Sequence, residues 1–428
     1  METMNKNNPG ANDRMHDEWL LPNGLRLVGE RLPYLRSVSI GAWMHVGSMM
    51  EEKAESGLSH FLEHMVFKGT EKRTARQIAE EMDAVGGQLN AFTGRDCTCF
   101  YAKVIDENLE LAVDILSDLV IHATIDETEL EKERGVILEE ISMDEDSPED
   151  LVHDLLQSAQ FGEQSPGQPI LGPADQIAAY TRADLLAFRR KHYAPKETVV
   201  ALAGNYDPDK VLTWVTQYFG GWENEIPPVE TPEWQVLNGV NVLREKDTEQ
   251  MHICLGFPGM AYGTEGVYPL AVANNILGGA MSSRLFQRIR EDLGLAYSVY
   301  SYPNTYKGVG TFGLYAGVSP KNAEVVLQEI RSELKKFTEA GITEKEFRDS
   351  VTQLRSGYLM GLESPGARMQ GLGRSTLLRG KPTAHEETLA AIEAVTIEKV
   401  MEVARAVLTA KPCTAIVGKG AEKVEVNS

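Results

Sequence analysis

Apolar and polar residues change period several times along the chain, and each change marks an element. The stretch "LPNGLRLVGERLPYLRSVSIGAWMHVGS" sets a Pro-Asn-Gly turn before apolar residues at alternate positions, Leu25 and Leu27, then Val38, Ile40 and Ala42. That spacing predicts a strand and hairpin. From Gly57 to Lys68 the spacing turns helical, and Thr74 to Val85 predicts a second amphipathic helix stopped by Gly86 and Gly87. Strand spacing returns in "GQLNAFTGRDCTCFYAKV", and Glu107 to Val120 is helical again. Glu127 to Met143 predicts a strong helix with Asp126 as its N-cap, broken by the acidic run "DEDSPED". Later, "ETVVALAGNY" is apolar without alternation and predicts a buried strand, with Val211 to Tyr218 as a further helix.

Between Gly220 and Leu237 the residues "GGWENEIPPVETPEWQVL" follow neither period and are rich in proline, glycine and acids, the composition of a linker. The patterns on its two sides are alike. "AKVIDENLELAVDIL" from Ala102 and "AGVSPKNAEVVLQEI" from Ala316 share a strand, turn and helix at an offset of 214 residues. Upstream of each lies an apolar helix ending in glycine, "LSHFLEHMVFKG" and "LAVANNILGG". The expected fold class is therefore α+β, with two homologous halves, each a mainly antiparallel sheet packed with helices. The expected boundaries are 16–220 for the first half, 221–238 for the linker and 239–421 for the second half.

Length and charge bound the function. At 428 residues the chain exceeds the ~250 residues at which single cores stop growing, in keeping with two halves. Acidic residues outnumber basic ones 63 to 42, a formal charge of -21. That field disfavours nucleic acid and anionic membranes and draws cationic ligands, such as basic peptides, inward. Met1 to Asp17 is polar and lacks the apolar core of a signal peptide, and nothing later approaches the ~18 apolar residues of a span. A cytoplasmic chain that does not cross a membrane is expected. Cys97, Cys99, Cys254 and Cys413 imply no disulfide framework; the first two share one face of a strand and read as buried thiols.

The chemistry is concentrated near residue 60. At about 100° per residue, His60, Glu63 and His64 fall within one arc of their helix, while Phe61 and Leu62 face elsewhere, toward a core. Two histidines one turn apart present imidazole nitrogens to one ion, and Glu63 stands beside them as a general base without being a ligand. This inverts the familiar His-Glu-x-x-His order. A catalytic zinc takes three protein ligands, so one is missing. In "EKERGVILEEI", Glu133, Val136, Ile137 and Glu140 share a helix face, and carboxylates beside Val and Ile are costly to bury without a cation. Glu140 then serves as third ligand to one Zn2+ per chain, and Glu133 as a partner that holds a histidine. Glu139 is the rival ligand, about 100° further round.

The stretch "GLSHFLEHMVFKGT", followed 76 residues beyond His64 by the Glu140 of "ERGVILEE", resembles the pitrilysin-type metallopeptidases. Within them it is similar to bacterial relatives of the mitochondrial processing peptidase. The resemblance spans nearly the whole chain. It implies a zinc endopeptidase that hydrolyses extended peptides or N-terminal segments, with His60, His64 and Glu140 as ligands, Glu63 as base and Glu133 in support. It further implies that Asn90 and Ala91 lie on an edge strand where substrate pairs through its main chain. From the second half, Arg290 would hold a peptide carbonyl and Tyr297 would donate near the oxyanion. No zinc site is expected between Tyr268 and Met281, which hold no His or Glu. A homodimer is implied as well. Some members of this fold have lost parts of the motif and act as noncatalytic peptide-binding or assembly subunits, which is the alternative function.

Overall fold

The strand-spaced residues Leu25, Leu27, Val38, Ile40 and Ala42 are all fully buried in the computed structural model, which describes residues 16–426. Six strands, β1 (His16–Leu20), β2 (Arg26–Arg31), β3 (Ser37–Met44), β4 (Gln88–Thr93), β5 (Thr98–Ile105) and β6 (Thr198–Gly204), form one sheet. Their order is β1-β2-β6-β3-β5-β4. Five more, β7 (Asn241–Glu245), β8 (Met251–Pro258), β9 (Ala296–Thr305), β10 (Gly310–Val318) and β11 (Cys413–Gly418), form a second sheet in the order β7-β11-β8-β10-β9. Apart from β1, the two sheets match strand for strand. In each a parallel pair joins the opening strand of this shared plan to its last, β2 to β6 and β7 to β11, and the other pairings among the described residues are antiparallel. The repeated strand, turn and helix are β5 with helix Leu109–His122 and β10 with helix Ala323–Ala340.

Why "TVVALAG" lacks polar alternation is now clear. Val200 and Leu202 of β6 join the core beneath the first sheet, while Val199, Ala201 and Ala203 face Met369, Leu372 and Leu378. Those last three belong to helix Pro365–Arg379 of the second half. The exchange is reciprocal: Cys413, Ala415 and Val417 of β11 meet Leu151, Val152 and Leu156 of helix Pro148–Phe161, from the first half. Both sheets are buried on both faces, so their central strands read as continuous apolar runs. The docked helix approaches so closely that a Cβ at Gly256 of β8 would sit 2.6 Å from the Gln160 side chain.

Several local readings shift. The helix expected to end at Met143 runs from Glu127 to Asp146, because only at Ser147 and Pro148 does the next helix take over. Proline is well suited to the first turn of that next helix, and the Ser147 hydroxyl caps it. Val136 does not share the buried face: it is 50% exposed, while Ile137 is fully buried. β1 opens at the expected boundary but was not foreseen as a strand: its polar "HDEWL" carries no strand period because it lies at a sheet edge. Asp126 caps as expected, accepting from the N–H groups of Thr128 and Glu129. Residues 222–238 form neither helix nor strand. They are nonetheless docked, with Leu237 N–H on the Gln160 carbonyl at 2.7 Å and Trp234 Nε1 on Ser165 Oγ at 3.2 Å.

Candidate metal centre

Two helices of the first half converge. Helix Leu58–Val66 buries Phe61, Leu62 and Met65 and turns His60, Glu63 and His64 toward helix Glu127–Asp146. One ligand-type atom from each of His60, His64 and Glu140 lies within 4.8 Å of the others. The two Nε2 atoms are 3.2 Å apart, and Glu140 Oε2 is 3.7 Å from each. Glu139 is exposed and stands outside the cluster.

These distances fit a metal. Ligands ~2.0–2.1 Å from a tetrahedral zinc are separated by about 3.3 Å. At 3.7 Å the carboxylate is too far to hydrogen-bond either ring, so hydrogen bonding does not explain its approach. Burial, and then the neighbouring His64, lower His60 to a pKa of about 3, which keeps its ring neutral and able to bind a cation. Glu133, itself buried, lies 2.9 Å from His64 Nδ1 and also takes the Lys68 ammonium. That contact makes Nδ1 the protonated nitrogen and turns the Nε2 lone pair into the cluster. Among the described residues His60 has no such partner: its Nδ1 is buried without a hydrogen bond.

Glu63 sits beside the trio. Burial raises its pKa, against the Thr93 hydroxyl that donates to Oε2 and against the charge of His64. Thr93 is the last residue of β4, so the sheet edge ends at the proposed base. His60, Glu63, Thr93 and Glu140 line a cleft of about 600 Å³ that also holds Asp144, Asp150 and Asp154. Burial first, then the charges of Asp154 and Asp150, push Asp144 up to about 6. Arg95 stands 3.7 Å from Asp154. Thr93 and the three aspartates were not singled out from sequence; the aspartates lie in and after the acidic run read only as a helix break.

Residues 26–174 match the Insulinase (Peptidase family M16) family, and residues 179–354 match the Peptidase M16 inactive domain. An uncharacterized zinc protease of Bacillus subtilis (strain 168) is 43% identical over 389 residues, covering 90% of this chain and 94% of that protein. The chain belongs to peptidase family M16. A second M16 relative, an uncharacterized zinc protease of Streptomyces coelicolor, is 43% identical over 93% of this chain and 88% of that protein. The crystal structure of a protease from Helicobacter pylori has the same fold, with a TM-score of 0.89, 23% identity, and coverage of 94% of this chain and 99% of that one.

Elsewhere in this M16 chain the expected substrate residues fall in two places. Asn90 and Ala91 lie in β4 at the edge of the first sheet, where Asn90 Oδ1 accepts the Ala91 N–H at 2.8 Å. The Arg290 guanidinium stacks between Phe286 and Tyr297, 4.7 and 5.0 Å from their ring centroids, and Tyr297 is 77% exposed. The structure thus brings Arg290 and Tyr297 to each other. Neither lines the cleft of the cluster. A second trio, His16, Glu30 and His385, also lies within 4.8 Å. There, however, Arg368 already bonds the fully buried Glu30, so the charge is balanced without an ion. Among the described residues no helix is long and apolar enough to cross a membrane.

Proposed function

We propose that this M16 chain is a zinc-dependent endopeptidase that hydrolyses extended peptides or N-terminal segments, with one ion per chain held by His60, His64 and Glu140. The observation that carries the reading is the convergence of those three donors beside Glu63 in an acidic cleft. Zinc, when bound there, supplies Lewis-acid polarisation and a lowered pKa for water. Two imidazoles and a carboxylate also suit manganese or cobalt, so metal analysis decides between them.

The chain's own residues do the rest. Glu63 is oriented by Thr93 through Oε2, which leaves Oε1 to accept a proton from the attacking water and return it to the leaving amine. A peptide added to the free edge of β4, alongside Asn90 and Ala91, runs toward Thr93 and Glu63. Main-chain pairing reads little sequence but demands an extended substrate. Asp144, Asp150 and Asp154 supply the side-chain preference, a lysine or arginine near the cleaved bond. Arg290 and Tyr297 act from the second half once they reach that peptide, the arginine on a carbonyl and the tyrosine near the oxyanion. The working form is a cytoplasmic homodimer, a reading that light scattering and cell fractionation test directly.

The noncatalytic alternative has against it that Glu63 and all three donors are present, within the segment that matches the peptidase family itself. Metal content measured together with cleavage of unfolded basic peptides is the test. Hydrolysis stopped by a chelator and restored by zinc is expected; hydrolysis indifferent to chelation, or a chain that takes up no metal, overturns the proposal. Mapping products from a mixed peptide library separates a narrow processing enzyme, which cuts few peptides, from general clearance.

A further inference from the structure

The two proposed histidine ligands are held in different ways. His64 is fixed through its ring by Glu133. His60, with its Nδ1 unpartnered, depends on its backbone for position. It is the third residue of a helix of only nine residues, Leu58–Val66, where fraying would move it directly. The N-cap of that helix is Gly57, at φ 89°, and it offers no side chain. Nor is there room for one: a Cβ there would lie 2.8 Å from Gly172 Cα and from Ile177 Cδ1.

Glu51 fills the role instead. Its Oε2 accepts the Gly57 N–H at 2.9 Å and its Oε1 the Ser59 N–H at 2.7 Å, and the residue is buried. The peptide that follows Ser59 N–H leads straight into His60. The segment bearing Glu51 is tied in turn to the other helix of the site. The Tyr180 hydroxyl lies 2.9 Å from the Ser56 carbonyl and 3.1 Å from that of Ala54. Arg134, neighbour of Glu133, donates to the Tyr180 carbonyl at 2.7 Å and to the Ile177 carbonyl. The same guanidinium stands 5.8 Å from the Phe61 ring centroid.

We propose that Glu51 is a positioning residue for the metal site: it caps the ligand helix from outside and, through Tyr180 and Arg134, registers His60 against Glu140. The inference rests on the proposed metal reading. It is tested on the full chain as Glu51→Gln, in which one of the two backbone N–H groups must face an amide NH2 rather than an oxygen. Zinc affinity is read by competition with a chromophoric chelator, and site geometry by the visible spectrum of the cobalt-loaded protein.

A 10- to 100-fold weaker zinc affinity, the usual cost of losing an outer partner, with an altered cobalt spectrum in a metal-free chain that still folds and melts cooperatively, is expected. Wild-type affinity and spectrum in the folded variant overturn the proposal. Should Glu51→Gln fail to fold, Tyr180→Phe, which removes one hydroxyl and keeps the ring, decides by the same two readouts: a smaller loss in the same direction supports the brace, and none overturns it. A wild-type chain that binds no metal refutes the metal reading itself, an outcome distinct from either.

Discussion

Glu133→Gln probes how the cluster is held. In the native chain one carboxylate oxygen sits 2.9 Å from His64 Nδ1 and the other takes the Lys68 ammonium. Glutamine keeps the shape and one acceptor, so the ring can stay in place, but the charge is gone. A hydrogen bond to a charged group contributes ~1.5–3 kcal/mol and a neutral one ~0.5–1.5 kcal/mol, a difference of about 1–1.5 kcal/mol. Lys68 loses its partner at little further cost, since its side chain is 29% exposed and can turn to water. At ~1.4 kcal/mol per tenfold, the zinc dissociation constant should rise by roughly tenfold. The weaker pull on Nδ1 also makes His64 a poorer electron donor at Nε2, which moves the change the same way. Competition against a chromophoric chelator at fixed pH measures it, with urea unfolding of the metal-free protein as control. An unchanged dissociation constant in a folded variant would refute the claim that Glu133 sets the tautomer and basicity of His64.

Glu63→Gln preserves the Thr93 contact and should keep zinc while kcat falls by ~10²–10⁴; a metal-loaded variant with full turnover removes Glu63 from the role of base. Asp150→Asn combined with Asp154→Asn should lower kcat/KM for substrates with an arginine near the cut by ~10-fold or more, the value of a charge-assisted bond. The same pair should leave neutral substrates nearly unaffected; an equal loss for both kinds argues against an acidic specificity pocket. Glu346 tests the acid side of stability. Burial raises its pKa, but Arg284 at 2.7 Å and the N–H and hydroxyl of Thr343 outweigh that and hold it at about 2. A folded value below the unfolded 4.5 means its contribution is complete above pH 4.5 and fades as pH falls toward 2. The stability gap between wild type and Glu346→Gln should shrink over that window; a gap independent of pH contradicts the assignment.

What could be foreseen follows local periodicity. The 100° step of a helix was enough to place His60, Glu63 and His64 on one face and Phe61 and Leu62 in the core, because all five sit within two turns. The strands of the first sheet announced themselves through residues such as Leu27 and Ile40, and the matching patterns after Ala102 and Ala316 revealed the duplicated plan. Contacts between segments distant in sequence have no such signal. Nothing local in "GARMQGLGRSTLLRG" says that Met369 and Leu372 cover the other half's sheet. Nor does "SMMEE" say that Glu51 caps a helix six residues on. Val136 misled for a related reason: on the edge of a helical arc, period alone does not tell a half-exposed residue from a buried one. Arg290, which stacks on Tyr297, lies in a π-helix at 286–292, whose wider winding the sequence does not advertise.

An anomalous difference map from crystals of the zinc-loaded chain, recorded at the zinc edge, tests the account at its centre. It should show a single strong peak ~2.0–2.1 Å from His60 Nε2, His64 Nε2 and a Glu140 carboxylate oxygen. A loaded crystal with no density at that point, or with zinc only at His16, Glu30 and His385, would contradict it.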